Sequence, residues 1–523
     1  MRACVLLPIS VLALAGCNSV LGIDDHPLAA DSGSSQGGGF DGETEAGTTD
    51  AAVDGTVAVD SSLDAEKSEQ DVSTTDAGPD ATAREAGPDA ATIGDSGHDG
   101  SATEGGNDSG PDGAPEAGID GSMCVGARVC TQGATLCGSL AGLETCNACG
   151  QWGPAVPCAD QTCISGACTG VCAYGKTRCS GNGVQTCGAT GNWGVAVGCG
   201  LSDTCSGGAC SVIKSCQVST EGTTSCGGGN ESCCTSPQVA GGAYYRTYAN
   251  PGTGPTGEAD IATVSTFRLD KFPVTVGRFR QFVAAWNAGS GWTPPAGSGK
   301  HAHLNSGLGL IDVGASTTTT TQYETGWAAA DSVNIAPTNA NLICKAAYNT
   351  WTDAAGTQEN LPMNCVNWYE AYAFCIWDGG FLPTESEWEY AAAGGSEQRE
   401  YPWGSTAPGS GNQYAIYGFY YPSGTATPTG TANVAPVGTA TSGAGLWGQL
   451  DLAGEMGQHV LDWYASYVDP CTDCALLTST STNRAGRGTS FDNAVADLLV
   501  ANRGGQSPAG RWNGVGFRCA RTP

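Results

Sequence analysis

The chain has 523 residues, and its 51 Asp and Glu against 21 Lys and Arg give a formal net charge of -30. This charge excludes a general nucleic-acid binder, because neutralising phosphates requires a basic face, and it makes anionic substrates poor candidates. The sequence contains no apolar run of about 18 residues or more, so it predicts no transmembrane helix.

The first 16 residues have the layout of a secretory signal peptide, with an early cation, Arg2, then an apolar stretch and small residues. The segment Leu14–Cys17 resembles a bacterial lipobox, which predicts cleavage before Cys17 and acylation of this cysteine. Two or more acyl chains anchor a protein stably to a membrane. Asn18 does not match the Asp that typically retains lipoproteins in the inner membrane. We therefore expect an outer-membrane lipoprotein that faces the periplasm or the cell surface.

Residues 17–122 are predicted to form a disordered acidic linker. From residue 18 onward this segment has 24 acidic residues against two cations, Lys67 and Arg84, a net charge of -22. A segment so charged and so poor in aromatic residues cannot bury enough apolar surface to offset the entropy of ordering. We interpret it as a spacer between the membrane and the rest of the chain.

Residues 123–235 form a cysteine-rich region with 18 cysteines and an internal repeat. The two units, about 130–168 and 172–210, each contain six cysteines and one tryptophan at matching positions. In an exported protein this pattern predicts three disulfides per unit, although six cysteines allow 15 pairings. A zinc site is the alternative, suggested by the CxxC spacing of Cys146 and Cys149.

The tryptophans of the two repeats are Trp152 and Trp193. We expect each to form the core of its unit, since a small unit has few other large apolar side chains. A binding role for exposed tryptophans is the alternative.

Residues 236–523 are predicted to form an α+β domain with much irregular coil. Helical spacing is present from Arg278 to Trp286 and again from Asn367 to Asp378. A third helix is predicted after Thr384, because Glu387 lies three residues later and completes a capping box.

A series of motifs in this domain resembles the formylglycine-generating enzyme family, that is, the sulfatase-modifying factor domain. The motifs are LPMNCVNWYEAYAFCIWDGGFLPTESEWEYAAAGG (361–395), YPWG (401–404), APVG (435–438), GLWGQLDLAGEMGQHVLDWY (445–464), RGTSF (487–491) and GVGFRCAR (514–521). The resemblance implies a fold related to C-type lectins. It also implies an activity, the oxidation of a substrate cysteine to formylglycine with oxygen and one copper(I) held by two cysteines.

The resemblance places the two copper ligands three and eight residues after Ser490, at Asn493 and Leu498. Neither side chain is a ligand for copper(I), which prefers soft thiolates, so we expect no copper. Ser490, Arg503 and Arg518 match family positions and are candidates for residues of the pocket.

Six cysteines of this domain are predicted to form three disulfides. The resemblance implies a Cys375–Cys519 bond, and proximity in sequence favours Cys344 with Cys365 and Cys471 with Cys474. A redox-active Cys471–Cys474 pair is the alternative, but it needs a helix N-terminus that the flanking sequence does not predict.

A weakened calcium site is expected from the resemblance. Its ligands map to Asp451, to the main-chain carbonyls of Gly454 and Met456, and to Gln458 in place of a family Glu. Hard oxygen ligands are retained, but one negative charge is lost.

His301 and His303 are the remaining candidates for metal ligands. Their surroundings are rich in glycine and serine, so we expect a solvated loop instead.

Three hypotheses follow from these observations. We favour a non-oxidase binding module for an unknown protein, peptide or glycan ligand. The alternatives are a formylglycine-generating oxidase and a structural envelope protein.

Overall fold

The computed structural model describes residues 124–228 and 231–523. Each cysteine-rich repeat consists of two short β-sheets. The predicted signal peptide, Cys17 and the acidic linker lie outside the described residues. The strands of the first repeat are β1 (Thr135–Ser139), β2 (Gly142–Thr145), β3 (Val156–Pro157), β4 (Thr162–Ile164) and β5 (Ala167–Thr169). Those of the second are β6 (Thr177–Ser180), β7 (Gly183–Thr186), β8 (Val197–Gly198), β9 (Asp203–Ser206) and β10 (Ala209–Val212). In each repeat the first three strands form one sheet and the last two form another.

The disulfides repeat as the strands do. In each unit the first cysteine is bonded to the third, the second to the fifth and the fourth to the sixth. Cys146 and Cys149 are bonded to different partners, Cys130 and Cys124, so the CxxC pair does not bind zinc. Trp152 and Trp193 are only half-buried, and the cysteines themselves fill much of each core.

The second repeat is hydrogen-bonded to the domain that follows it. Arg268, which is almost fully buried, donates from Nε to the carbonyl of Ser236 and from Nη1 to the carbonyl of Asp203. Its Nη2 donates to the carbonyl of Leu201 in the second repeat. The second repeat and the C-terminal domain therefore belong to one compact unit.

The C-terminal domain combines short strands, four α-helices and long irregular segments. Its strands are β11 (Gln238–Val239), β12 (Gly242–Ala249), β13 (Thr256–Val264), β14 (Phe267–Leu269), β15 (Ile311–Asp312), β16 (Gly457–Trp463), β17 (Cys471–Thr472), β18 (Cys474–Ala475), β19 (Arg484–Arg487), β20 (Arg503–Gln506), β21 (Val515–Gly516) and β22 (Ala520–Arg521). Its helices are α1 (Val276–Trp286), α2 (Asn339–Leu342), α3 (Trp368–Trp377) and α4 (Glu385–Ala393). The predicted α+β class is confirmed.

Helices α3 and α4 begin where the sequence predicts. The side chain of Asn367 accepts from the amide of Glu370, and Thr384 accepts from the amide of Glu387. Both helices have a full capping box, in which the glutamate side chain accepts from the N-cap amide in return.

An aromatic core packs helix α1 against α3. Phe279 and Phe374 are stacked with their ring centroids 5.8 Å apart, and Phe517 meets Phe374 edge-on at 5.3 Å. A second core lies between helix α4 and the hairpin of β12 and β13. Between these cores runs a four-stranded sheet in the order β20-β19-β16-β21, and the chain segments that leave its strands form the site described below.

No helix among the described residues is both long enough and apolar enough to cross a membrane.

Candidate functional site

An open cleft of about 380 Å³ lies where strands β19, β20 and β21 begin or end. Strand β19 leads into Ser490, strand β20 ends at Gln506, and the segment from Trp512 to Gly514 leads into β21. The cleft is lined by Gly457, Gly488, Thr489, Ser490, Asp492, Asn493, Gly505, Gln506, Trp512, Asn513, Gly514 and Val515. Its lining therefore offers amides, hydroxyls, one carboxylate and one indole, and it contains no cation and no histidine.

Ser490 is held in place by its two neighbours along the chain. Its hydroxyl lies within hydrogen-bond distance of the carboxylate of Asp492 and 2.9 Å from Oδ1 of Asn493. The amide of Ser490 also donates to Asn493 Oδ1 at 2.9 Å. A Cβ at Gly514 would lie 2.7 Å from the Ser490 hydroxyl, so a larger residue there would displace the Ser490 side chain. No imidazole lines the cleft to activate this serine as a nucleophile.

Gln506 and Trp512 present unused groups in the same cleft. The Oε1 atom of Gln506 is buried and has no hydrogen-bond partner. Trp512 is half-buried, so part of its ring is exposed. No motif of the sequence contains Asp492, Gln506 or Trp512, although Asp492 and Trp512 lie close to the motifs RGTSF and GVGF.

The residues at the copper positions do not fit copper(I). The side-chain oxygen of Asn493 accepts hydrogen bonds from Ser490, and Leu498 is buried beside Ala415, Tyr417 and Ala453. Neither group supplies a thiolate. All 24 cysteines in the described part of the chain are paired in 12 disulfides. No described cysteine is therefore left to replace the missing ligands.

Three of these disulfides are the pairs predicted for this domain. They are Cys344–Cys365, Cys375–Cys519 and Cys471–Cys474. The Cys471–Cys474 bond joins β17 to β18, and both residues are buried. A buried bond outside any helix lacks both the access and the helix N-terminus that a redox-active pair needs.

The residues predicted to bind calcium do not fit the ion. Gln458 Oε1 accepts from Trp388 Nε1 at 2.8 Å and from Arg518 Nε at 2.7 Å, which fills both of its acceptor positions. Gln458 Nε2 donates to the carbonyl of Asp451, and Arg518 Nη2 donates to that same carbonyl at 2.9 Å. A guanidinium thus holds the loop together at the place where the ion was expected. Asp451 is then the one predicted side-chain ligand left beside the carbonyls of Gly454 and Met456, and its carboxylate already accepts from the amide of Gly438 at 2.7 Å. These groups are fewer than the roughly six to eight oxygen ligands that calcium takes.

Two of the three predicted pocket residues lie outside the cleft. Arg518 is fully buried and holds the loop just described. Arg503 donates to both carboxylate oxygens of Glu385, from Nε at 2.7 Å and from Nη2 at 2.6 Å. Only Ser490 lines the cleft. Both arginines donate hydrogen bonds within the fold. Their partners come from distant parts of the chain, so the local sequence does not reveal these bonds.

Glu385 is the centre of a buried ion network that the sequence pattern does not predict. Arg487 donates to Glu385 at 2.8 Å and to Glu389 at 2.7 Å. Burial alone would raise the pKa of Glu385, but Arg487 and Arg503 lower it below its usual value. Glu389 is less well paired, and burial raises its pKa to about 7. The network ties helix α4 to β19 and β20.

The prediction that His301 lies in a solvated loop is wrong. Its side chain is fully buried, with Nδ1 3.2 Å from Glu324 and Nε2 3.2 Å from Glu387. Burial alone would lower its pKa, but Glu387 and Glu324 raise it to about 10. His303 is partly buried and stacks on Phe381. Among the described residues no group of three or more His, Cys, Asp or Glu is placed to hold a metal ion.

The sulfatase-modifying factor enzyme 1-like domain is the known family whose model matches this chain, over residues 229–523. This match spans more than half of the sequence. The chain belongs to the sulfatase-modifying factor family. Family membership and the α+β fold predicted from the motifs are thereby confirmed.

Relatives in the sulfatase-modifying factor family include both enzymes and inactive proteins. The formylglycine-generating enzyme of Thermomonospora curvata is 28% identical over 312 residues, which cover 54% of this chain and 92% of that protein. The inactive C-alpha-formylglycine-generating enzyme 2 of Bos taurus is 28% identical over 308 residues, covering 56% and 89%. Membership of the sulfatase-modifying factor family therefore leaves the activity of a given chain open.

Solved structures similar to this member of the sulfatase-modifying factor family include PvdO from Pseudomonas aeruginosa. It is 16% identical, has a TM-score of 0.34, and covers 55% of this chain and 93% of its own. Treponema denticola variable protein 1 is 18% identical with a TM-score of 0.32, covering 55% and 95%.

Proposed function

We propose that this chain is a non-oxidase member of the family, whose cleft binds a ligand instead of oxidising a cysteine. The observation that supports the proposal is the pair of copper positions, where Asn493 is hydrogen-bonded within its own loop and Leu498 is buried in an apolar cluster. Every cysteine of the described domain is in a disulfide, so no other thiolate supplies the site.

The ligand that suits the cleft is an uncharged, hydrogen-bonding one, a glycan or a peptide. The half-buried ring of Trp512 offers an apolar face for a sugar ring or a peptide side chain. Asn493, Gln506 and Asn513 offer amides beside it, and the carboxylate of Asp492 accepts from hydroxyl or amide donors. An anionic ligand is disfavoured because no cation lines the cleft.

Glycan and peptide arrays probed with the full chain test this proposal. We expect a reproducible ligand class, and Trp512→Ala should weaken its binding about tenfold or more, as removal of a central aromatic contact does. The matched control is Trp403→Ala, an aromatic change outside the cleft, which should leave binding unchanged. Equal binding by wild type and Trp512→Ala would overturn the assignment of the cleft.

Oxidase activity is measured separately. The full chain is loaded with copper(I), and a CxPxR peptide is followed by mass spectrometry for conversion of thiol to aldehyde. We expect no conversion and no retained copper, because copper(I) needs thiolates that the described site does not offer. Conversion above a copper-only blank would contradict the proposal.

We also propose that Cys17 carries the lipid anchor and holds the protein at the outer membrane. The support is the sequence alone, namely the signal peptide and the lipobox. Metabolic labelling with a fatty acid, followed by membrane fractionation, should label the wild type and not Cys17→Ser. Labelling of both proteins would contradict the lipid site.

A further inference from the structure

A second pocket, separate from the cleft, contains an arginine without an ionic partner. The pocket has a volume of about 150 Å³, and its lining includes Arg484, Asp331, Trp368 and Tyr372. It shares no lining residue with the cleft. Its volume is below the usual range for drug-sized ligands, about 300 to 1,000 Å³, so only a molecule of a few non-hydrogen atoms fits.

Two indole rings fix the position of the guanidinium of Arg484. Its Cζ lies 3.8 Å from the ring centroid of Trp368 and 3.6 Å from that of Trp463. Stacking of this kind uses the faces of the guanidinium and leaves its edge for hydrogen bonds. Both rings are themselves fixed, since each indole nitrogen donates to a main-chain carbonyl, that of Val460 or Leu477.

The hydrogen-bonding capacity of Arg484 is largely unused. Its Nη1 donates to the carbonyl of Leu461 at 2.9 Å, while its buried Nε has no partner. Among the described residues no carboxylate lies within 4.0 Å of it, whereas Arg278, Arg487 and Arg521 are each paired with one. Burial lowers its pKa to about 10, which reflects a desolvated charge. A buried cation without a counter-ion is unfavourable, and a bound carboxylate would relieve that cost.

The nearby acids are of two kinds. Asp462 is buried and accepts from the amides of Glu385 and Leu476, and Glu324 accepts from His301 and Leu310, so both are committed. Asp331 is half-buried in the pocket lining and interacts with Arg484 only at longer range. The pocket therefore presents one free cation and one free carboxylate that do not neutralise each other directly.

We propose that this pocket binds a small free α-amino acid. The carboxylate of the amino acid pairs with the edge of Arg484, its ammonium group pairs with Asp331, and its side chain lies against Trp368 and Tyr372. A zwitterion matches both charges, whereas a simple anion would meet Asp331 and a simple cation would meet Arg484.

Isothermal titration calorimetry on the full chain tests the proposal with L-alanine, acetate, methylamine and the dipeptide Ala-Gly as probes. We expect L-alanine to bind more tightly than acetate or methylamine. Asp331→Asn should weaken L-alanine binding about tenfold, because one charge-assisted hydrogen bond is lost, and should leave acetate binding no weaker. Arg484→Lys should weaken both L-alanine and acetate.

The control is Trp512→Ala in the cleft, which should leave L-alanine binding unchanged. Circular dichroism shows whether Arg484→Lys is folded. If it is not, the comparison of L-alanine binding by Asp331→Asn and wild type tests the proposal. The proposal is overturned if wild type does not bind L-alanine, or if Asp331→Asn binds it as wild type does. Tighter binding of Ala-Gly than of L-alanine would also overturn it, in favour of a peptide C-terminus.

Discussion

The role of His301, whose imidazole is charged in the folded protein, cannot be predicted from the residues around it in the sequence. It follows a run rich in glycine and serine, which is typical of an exposed loop. Its two carboxylate partners, Glu324 and Glu387, lie 23 and 86 residues away along the chain. Local composition holds no information about such distant partners.

His301→Gln should destabilise the domain by about 3 kcal/mol near pH 7, because it leaves two buried carboxylates without their cation. The folded-state pKa of about 10 lies above the unfolded value. The stabilisation is therefore complete below the unfolded pKa of about 6.5 and is lost as the pH rises through about 10. Urea unfolding of wild type and variant between pH 6 and pH 10 measures it.

The matched control for this measurement is His303→Gln, two residues away, where neither ring nitrogen has a hydrogen-bond partner. Its effect should stay below about 1 kcal/mol and should not follow the same pH dependence. A loss of stability in His301→Gln that is constant across the pH range would argue against the ion triad.

The hydrogen bonds of Gln458 predict how the thermal stability of the protein responds to calcium. Because its Oε1 already accepts from Trp388 and Arg518, we expect added calcium or a chelator to leave the Tm unchanged. Differential scanning calorimetry of the full chain, with magnesium as the reference ion, measures this. A Tm that rises with calcium concentration and then saturates would show that the ion displaces Arg518 from the loop.

Helices α3 and α4 show how much of an element local sequence specifies. Asn367 and Thr384 were predicted as their start points, and both have the expected caps, since capping depends on residues three positions apart. The hairpin of β12 and β13 was not predicted. Its inward-facing positions include Arg246 between Tyr244 and Tyr248, so the apolar alternation that marks a half-buried strand is interrupted.

Glu387 takes part both in the cap of helix α4 and in the buried ion triad, because it accepts from the amide of Thr384 at 2.9 Å and from His301. Thr384→Ala should cost about 1 kcal/mol, the usual effect of losing an N-cap side chain. Glu387→Gln should cost more, since it weakens the cap and the buried ion triad together. Urea unfolding at pH 7 measures both, with the exposed Thr425→Ala as control. Equal losses for the two changes would mean that the triad adds nothing.

Across the whole molecule, the sequence predicted the family and the absence of the copper ligands, because both depend on residue types at motif positions. Of the cleft it predicted only Ser490, and it did not predict the Arg484 pocket. Both are lined by residues from several separate segments, and Asp492, Gln506 and Trp512 lie outside the matched motifs. Only the arrangement of β16, β19, β20 and β21 brings the cleft residues together.

The disulfide pattern gives a prediction about the two cysteine-rich repeats. Peptide mapping without reduction should find the same connectivity in both repeats, including Cys137–Cys163 and its counterpart Cys179–Cys205. Replacing the Cys179–Cys205 pair by serines should lower stability by about 3 kcal/mol, because a loop of this length is released in the unfolded chain. Different pairings in the two repeats would contradict the shared fold of the units.

The contacts of Arg268 have a consequence for how the molecule moves. Its three nitrogens are bonded to main-chain carbonyls of the second repeat and of the residues that lead from it. These hydrogen bonds limit how far the second repeat can move relative to the domain that contains the cleft. A fluorescent label on the exposed Val195 of that repeat would therefore report, by its anisotropy, whether the repeat tumbles together with the domain or independently of it.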